Sequence, residues 1–353
     1  MSGAHQRRLL EDLDKIRRRV AAVGARVDDA LGMAVHALMT GDRGLAAETV
    51  LNDFPINRTV RELDADCHRF VARHLPSAGH LRTVSSVLRL NIALERIGDY
   101  AVTIARETEQ LGAPPPEPLA STMQAMADQS RKMYRQAIAA WVDQNADLAR
   151  GTKGMAGSVD VLLDSAWKEL LRMGKEPGAP SMRRMFAFLI ICSNLERVSD
   201  QAKNICEEAV FAATGETKPP KVYKVLFVDE GNSRLSVLAE AMAHKAFPES
   251  GHYTSAGWSP APAVDPELIA FLDERAMEPS PHVPQSLASM MHKLPAQHIV
   301  VSLAGDPRPH LGSVPFSTVV LEWSISGDLP AATEQLADKI AWLMEKCRGE
   351  GAH

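Results

Sequence analysis

Cysteine is scarce in this chain: four in 353 residues, at Cys67, Cys192, Cys206 and Cys347. They form no CxxC pair and no evenly spaced framework, which excludes a disulfide scaffold and suits a reducing, cytoplasmic compartment. Aromatic residues make up only 5%, and the net charge of -5 gives no footprint for nucleic acid. The basic run at 17–19 reads as one face of a helix. No hydrophobic run is long: MFAFLIIC at 185–192 is far short of the roughly 20 residues that a membrane span needs. Charge within the first dozen residues is unlike a signal peptide. There is no GxGxxG, Walker loop, HExxH or GxSxG, and the twelve histidines show no ligand spacing.

What is present is ordinary core-forming material, 45% hydrophobic and 24% charged, rich in Ala, Leu and Met. That composition favours helices, and the length favours two or three domains. Residues 1–112 read as long amphipathic helices: a basic-acidic first segment, then DDALGMAVHALMTGD, FPINRTVRELDADCHRFVARHL and HLRTVSSVLRLNIALERIGDYAVTIARETEQL. GAPPPEP at 112–118 cannot continue a helix and acts as a spacer. Over 119–216 the order repeats: one helix through MYRQAIAAWVDQNADLARG, one through SVDVLLDSAWKELLRMG, and MRRMFAFLIICSNLERVSDQAKNICEEAVFAATG. GETKPPK links to residues 222–353, where strand-like KVYKVLFV, HYTSAGW, HIVVSL and TVVLEW alternate with helix-like RLSVLAEAMAHKAF, DPELIAFLDERA, QSLASMMHKL and AATEQLADKIAWLMEKC. EPSPHVP and AGDPRPHLGSVPF read as loops. The expected fold is therefore multidomain: an all-α tandem repeat, then an α/β domain with a parallel sheet and helices on both faces.

Glu95 and Asp99 of LERIGD lie four apart on one helix face, and both recur 101 residues later as Glu196 and Asp200 of LERVSD. Repetition of the pair within repeated sequence points to a duplicated bundle. Ile92 and Val102 continue the face, placing the acids in an apolar seam where like charges repel and need a cation. The cation is either an arginine in an ordinary ion pair, Arg96 or Arg89 for example, or a hard metal ion held by oxygen ligands.

ALERIGDYAVTIA and NLERVSDQAKNICEE resemble the two acidic motifs of the PhoU phosphate-uptake regulators, across about residues 10–215. The resemblance implies two tandem three-helix bundles carrying metal clusters, with Mg, Mn or Fe. The implied ligands are Asp53, Asp64, Glu95 and Asp99 in the first repeat, with Asn57 in the same motif, and Asp160, Asp164, Glu196 and Asp200 in the second. It implies partners as well: the phosphate ABC transporter and the phosphate sensor histidine kinase, reached at the membrane only through these proteins. A homodimer is left open. This chain departs from the family pattern at Pro55, inside the first acidic helix, at Gly157 and Ser158 where acids are usual, and at Gln201 where a histidine is common. Lys203, one turn from Asp200, is placed to neutralise carboxylates without metal.

FVDEGNSRLSVLAEA, residues 227–241, runs strand, turn, helix, the layout that cradles an anion in backbone N–H groups. It resembles the C-x5-R-S loop of the low-molecular-weight tyrosine phosphatases and arsenate reductases, whose cysteine thiolate attacks and whose arginine clamps the oxyanion. In that register Asp229 takes the nucleophile position and Leu235 the arginine position, while EWSISGDLP puts Asp328 at the general acid. Gly231, Asn232, Ser233, Arg234 and Ser236 remain of the anion loop. A carboxylate is a poor nucleophile towards a phosphate ester, and Asp229 and Glu230 repel an oxyanion, so the expectation is a binding module without catalysis and without its own cofactor. Two rivals are an arsenate reductase or phosphatase working through Asp229, and a helical adaptor that holds no metal.

Overall fold

The computed structural model describes residues 3–277, 283–312, 314–315, 318–349 and 352. The chain divides into two compact units, residues 1–218 and 219–353. Among the described residues no helix is long and apolar enough to cross a membrane.

The first unit is all helix: α1 Gly3–Thr40, α2 Arg43–His74, α3 Ala78–Leu111, α4 Leu119–Val142, α5 Ala146–Lys153, α6 Ala156–Met173 and α7 Met182–Thr214. α1 is one helix where two segments are read from the sequence, because Val20, Val23, Val27, Leu31, Ala34 and Leu38 form an unbroken buried stripe. α2 continues through Pro55, since Ile56, Val60, Leu63 and Cys67 carry its buried face onward. The stretch MYRQAIAAWVDQNADLARG breaks into α4 and α5. Gln144 adopts a left-handed φ of 53°, and the Asn145 side chain caps α5 by accepting from the Leu148 N–H at 2.9 Å. The second repeat therefore has four helices, not three.

α3 packs along α7 and α1 along α4, so both repeats share one continuous core. Buried polar contacts fix the junction: Trp141 Nε1 donates to Ser86 Oγ at 2.8 Å, and the Tyr134 hydroxyl donates to the Gly24 carbonyl at 2.9 Å. Arg131 forks onto both carboxylate oxygens of Asp28, at 3.0 and 2.9 Å.

The second unit contains strands β1 Tyr223–Asp229, β2 Gly251–Gly257, β3 Ile299–Ser302 and β4 Val319–Glu322, all parallel and in the order β2-β1-β3-β4. Alternation along β1 sends Val225 and Phe227 into one core with α8 Leu235–Ala246, α9 Pro266–Glu274 and α12 Leu329–Arg348. Leu226 and Val228 face a second core on the opposite side, with α10 Leu287–Met290 and Leu311 of α11 Arg308–Leu311. Helices cover both faces, as a parallel sheet requires. The single-turn helix α11 lies in a stretch read from sequence as loop; the Asp306 carboxylate starts it by accepting from the Arg308 N–H at 3.0 Å. The other expected loop, EPSPHVP, falls mostly outside the described residues.

Candidate functional site

In the first repeat, a three-residue link folds α3 back along α2 and brings Asp53 under the influence of Glu95 and Asp99. Burial, then the Asp99 and Glu95 charges, push the Asp53 carboxyl above the usual carboxylate range. Asp53 Oδ2 accepts from Asn57 Nδ2 at 2.6 Å, whereas Asp53 Oδ1 and Asn57 Oδ1 are both buried without a hydrogen-bond partner. Gly98 makes room for this carboxylate: a Cβ there would stand 3.1 Å from Asp53 Oδ1.

Glu95 and Asp99 themselves are exposed, which corrects the expected apolar seam. α3 buries Asn91, Leu94, Ile97, Gly98 and Ala101 instead, and this turns the Ile92, Glu95, Asp99 face outward. Arg89, one candidate for neutralising the pair, is engaged by Glu208 at 2.6 Å. Asp64 stays apart. It lies eleven residues, about 16 Å, along α2 from Asp53, and its ion-pair partner is His68 at 3.8 Å.

The second repeat is wired differently. Glu196 and Asp200 are half-buried, and burial followed by the Asp200 and Asp160 charges pushes Glu196 up to about 7. Lys203 Nζ donates to Asp200 Oδ1 at 2.7 Å. Burial opposes the lysine's charge, but the Asp200 hydrogen bond and the charges of Asp200, Asp160 and Glu196 hold its pKa above the ordinary lysine value. Asp160 is exposed beside them, and Asp164 is exposed and paired with Lys168 at 2.5 Å. Gly157 and Ser158 add no carboxylate, and Gln201 is buried.

Among the described residues no three His, Cys, Asp or Glu side chains are arranged to share one ion as they stand. The first repeat nonetheless offers the orphaned Asp53 Oδ1 and Asn57 Oδ1 beside the exposed carboxylates of Glu95 and Asp99, an all-oxygen donor set that suits a hard cation. The second does not fit a metal in the same way, because the Lys203 ammonium already holds Asp200 and lies in the field of Glu196 and Asp160.

In the α/β unit, Asp229 ends β1 with only 8% of its surface exposed. Its carboxylate does not stand at the mouth of the cradle, repelling anions from there. It lies inside: Oδ1 accepts from the Asn232 N–H at 2.6 Å and Oδ2 from the Ser236 N–H at 2.9 Å. The donors that would hold an oxyanion therefore hold Asp229. Asn232, at a left-handed φ of 47°, donates through Nδ2 to Ser236 Oγ at 3.0 Å and Ser255 Oγ at 2.8 Å, and its Oδ1 accepts from the Gln285 N–H at 2.6 Å. Ser255 Oγ donates to Glu240 Oε2 at 2.5 Å, and burial pushes Glu240 up to about 7. The loop lies directly on Gly257, where a Cβ would come within 2.6 Å of the Glu230 carbonyl.

The remaining positions are diverted. Leu235 packs against the core. Arg234 reaches away to Asp265 at 2.7 Å and Glu267 at 3.1 Å. Asp328, the expected general acid, caps α12 by accepting from the Ala331 N–H at 3.0 Å. Sequence reasoning singled out Asn232 but passed over Gly98 and the Ser255 and Glu240 that Asn232 is linked to; the signals were a glycine inside a helix and an acid amid the alanines of LAEAMA.

The PhoU domain profile matches residues 20–108 and 123–209. The phosphate-specific transport system accessory protein PhoU homolog of Pseudomonas putida is 34% identical over 206 residues, 58% of this chain and 80% of its own length. The chain belongs to the PhoU family. The crystal structure of PhoU from Pseudomonas aeruginosa superposes with a TM-score of 0.55 at 32% identity, covering 58% of this chain and 99% of that one. The two PhoU matches correspond to α1–α3 and α4–α7, and the unmatched residues between them hold the proline spacer. For the part beyond the PhoU half, an arsenate reductase from Archaeoglobus fulgidus matches at 22% identity and a TM-score of 0.29, over 34% of this chain and 98% of its own. That likeness is slight, and the chemistry of the α/β unit rests on its own geometry.

Proposed function

We propose that this chain is a regulatory accessory protein of a phosphate-specific transport system, acting by contact and not by catalysis. The observation that carries the reading is the PhoU half, which covers nearly the whole of a solved PhoU at 32% identity. Its targets on this reading are the transporter and the phosphate sensor kinase, its effect is to restrain phosphate uptake and starvation signalling, and its place is the cytoplasm.

In the first repeat, Asp53, Asn57, Glu95 and Asp99 would hold a hard cation, Mg, Mn or Fe. Such an ion would neutralise the carboxylates and tie α2 to α3; it would supply cohesion, not reaction chemistry. In support stand the orphaned Asp53 Oδ1 and Asn57 Oδ1. The α/β unit serves as a docking module. Against turnover there, Asp229 has both carboxylate oxygens engaged by loop N–H groups, Arg234 is paired elsewhere and Leu235 has no donor to offer. Expression of phosphate-starvation genes in phosphate-rich medium tests the reading. Loss of the chain should raise it; unchanged expression would remove the assignment.

A further inference from the structure

The two acidic clusters are counterparts 101 residues apart, yet they differ at three corresponding places. Where α3 has Val102, α7 has Lys203; where α3 has Gly98, α7 has Ser199; and α6 supplies no partner like Asp53 with an orphaned oxygen. The Lys203 ammonium lies 2.7 Å from Asp200 Oδ1 and within the field of Glu196 and Asp160. Ser199 is 1% exposed, and its hydroxyl donates to the Glu196 carbonyl at 2.7 Å, so a side chain fills the space that Gly98 leaves to Asp53. In the first cluster the buried Asp53 Oδ1 and Asn57 Oδ1 lack a partner; among the described residues of the second cluster no buried oxygen does.

We infer that Lys203 is a built-in counter-ion that takes the place of a metal ion in the second cluster, so that the two repeats carry unlike cations, one exchangeable and one covalently part of the chain. The physical reason is direct: a hard divalent cation and an ammonium compete for the same carboxylate oxygens, and a tethered ammonium is always present. The inference deepens the metal reading of the PhoU half and rests on it only for the first repeat.

The test is manganese content. Full-length protein equilibrated with MnCl2 and desalted is measured by elemental analysis, with thermal midpoints recorded alongside. Asp53→Ala should strip the wild-type protein of most of its Mn²⁺, and Asp200→Asn should leave it unchanged. Lys203→Val, which installs the first-repeat residue, should add about one ion per chain, lost again when Asp200→Asn is combined with it. Mn²⁺ should also raise the midpoint of Lys203→Val by several degrees more than that of the wild type. If Lys203→Val does not fold, Lys203→Gln replaces it. Wild-type Mn²⁺ that falls by half in Asp200→Asn would overturn the inference, as would a folded Lys203 variant that takes up no extra ion. Wild-type protein with no Mn²⁺ at all would instead defeat the first-repeat reading, and the gain on Lys203 replacement would still decide this one.

Discussion

Asp229 Oδ2 accepts a hydrogen bond from the Ser236 N–H at 2.9 Å, so this acid is seated among the loop N–H groups and occupies them. Removing the carboxylate leaves two buried N–H donors, those of Asn232 and Ser236, without a partner. Asp229→Ala should therefore destabilise the α/β unit by about 2–4 kcal/mol. Asp229→Asn should lose roughly half of that, since one amide oxygen can still accept. Urea titration followed by tryptophan fluorescence would read it, Trp258 lying next to the loop with its backbone N–H donating to the Asp229 carbonyl at 3.3 Å. A neutral Asp229→Ala would mean that the cradle does not depend on its internal acid.

The same geometry predicts no turnover. Purified chain should not hydrolyse aryl phosphates or reduce arsenate above background, and acyl-phosphate trapping should leave Asp229 unmodified. Turnover abolished by Asp229→Ala would make this unit a working carboxylate enzyme.

Glu240 gives a pH signature. Burial sets its folded pKa at about 7, above the ordinary glutamate value. The proton is held more tightly in the folded state, so the stability it confers is complete below the unfolded pKa, near 4.5, and is lost as pH rises through about 7. Wild-type stability should fall relative to Glu240→Gln across that window, by about 3 kcal/mol in total. Parallel stability–pH curves for the two proteins would contradict the burial argument.

Gly98 tests the first acidic cluster from behind. A Cβ at this position meets Asp53 Oδ1 at 3.1 Å, so Gly98→Val should displace that carboxylate and cost about 1–3 kcal/mol of stability. Its Mn²⁺ content should fall with it. Full retention of metal would separate Asp53 from any ion the protein holds.

Burial pushes the Cys67, Cys192 and Cys206 thiols up to about 12, and Cys347 is half-buried with its thiol raised as well. Native protein should take up at most one alkyl group at neutral pH, and denatured protein four. Mass spectrometry after iodoacetamide treatment counts them.

The fold was legible where chemistry is periodic. Apolar spacing marked the long helices, and the alternation of strand-like and helix-like runs marked a parallel sheet with both faces covered. Local side-chain capping was less visible: Asn145 splits one expected helix into two, and Asp306 starts a turn of helix inside a loop. The acid at position 229 was plain in the sequence, but its consequence was not. Taken as a bare charge beside a turn, Asp229 repels an anion; folded, its carboxylate replaces one. The exposure of Glu95 and Asp99 was likewise hidden, because a helix with apolar residues on two sides does not declare which side the neighbouring helix covers.

The central claim is that regulation resides in the PhoU half and needs no catalysis from the α/β unit. Uptake of radiolabelled phosphate by phosphate-replete cells lacking the chain tests it most directly, with two full-length variants returned in turn. Chain carrying Asp229→Asn should restore low uptake as the wild type does, while chain carrying Asp53→Ala, Glu95→Ala and Asp99→Ala together should leave uptake high. The opposite pattern, with the acidic variant restoring control and the Asp229 variant failing, would contradict the account.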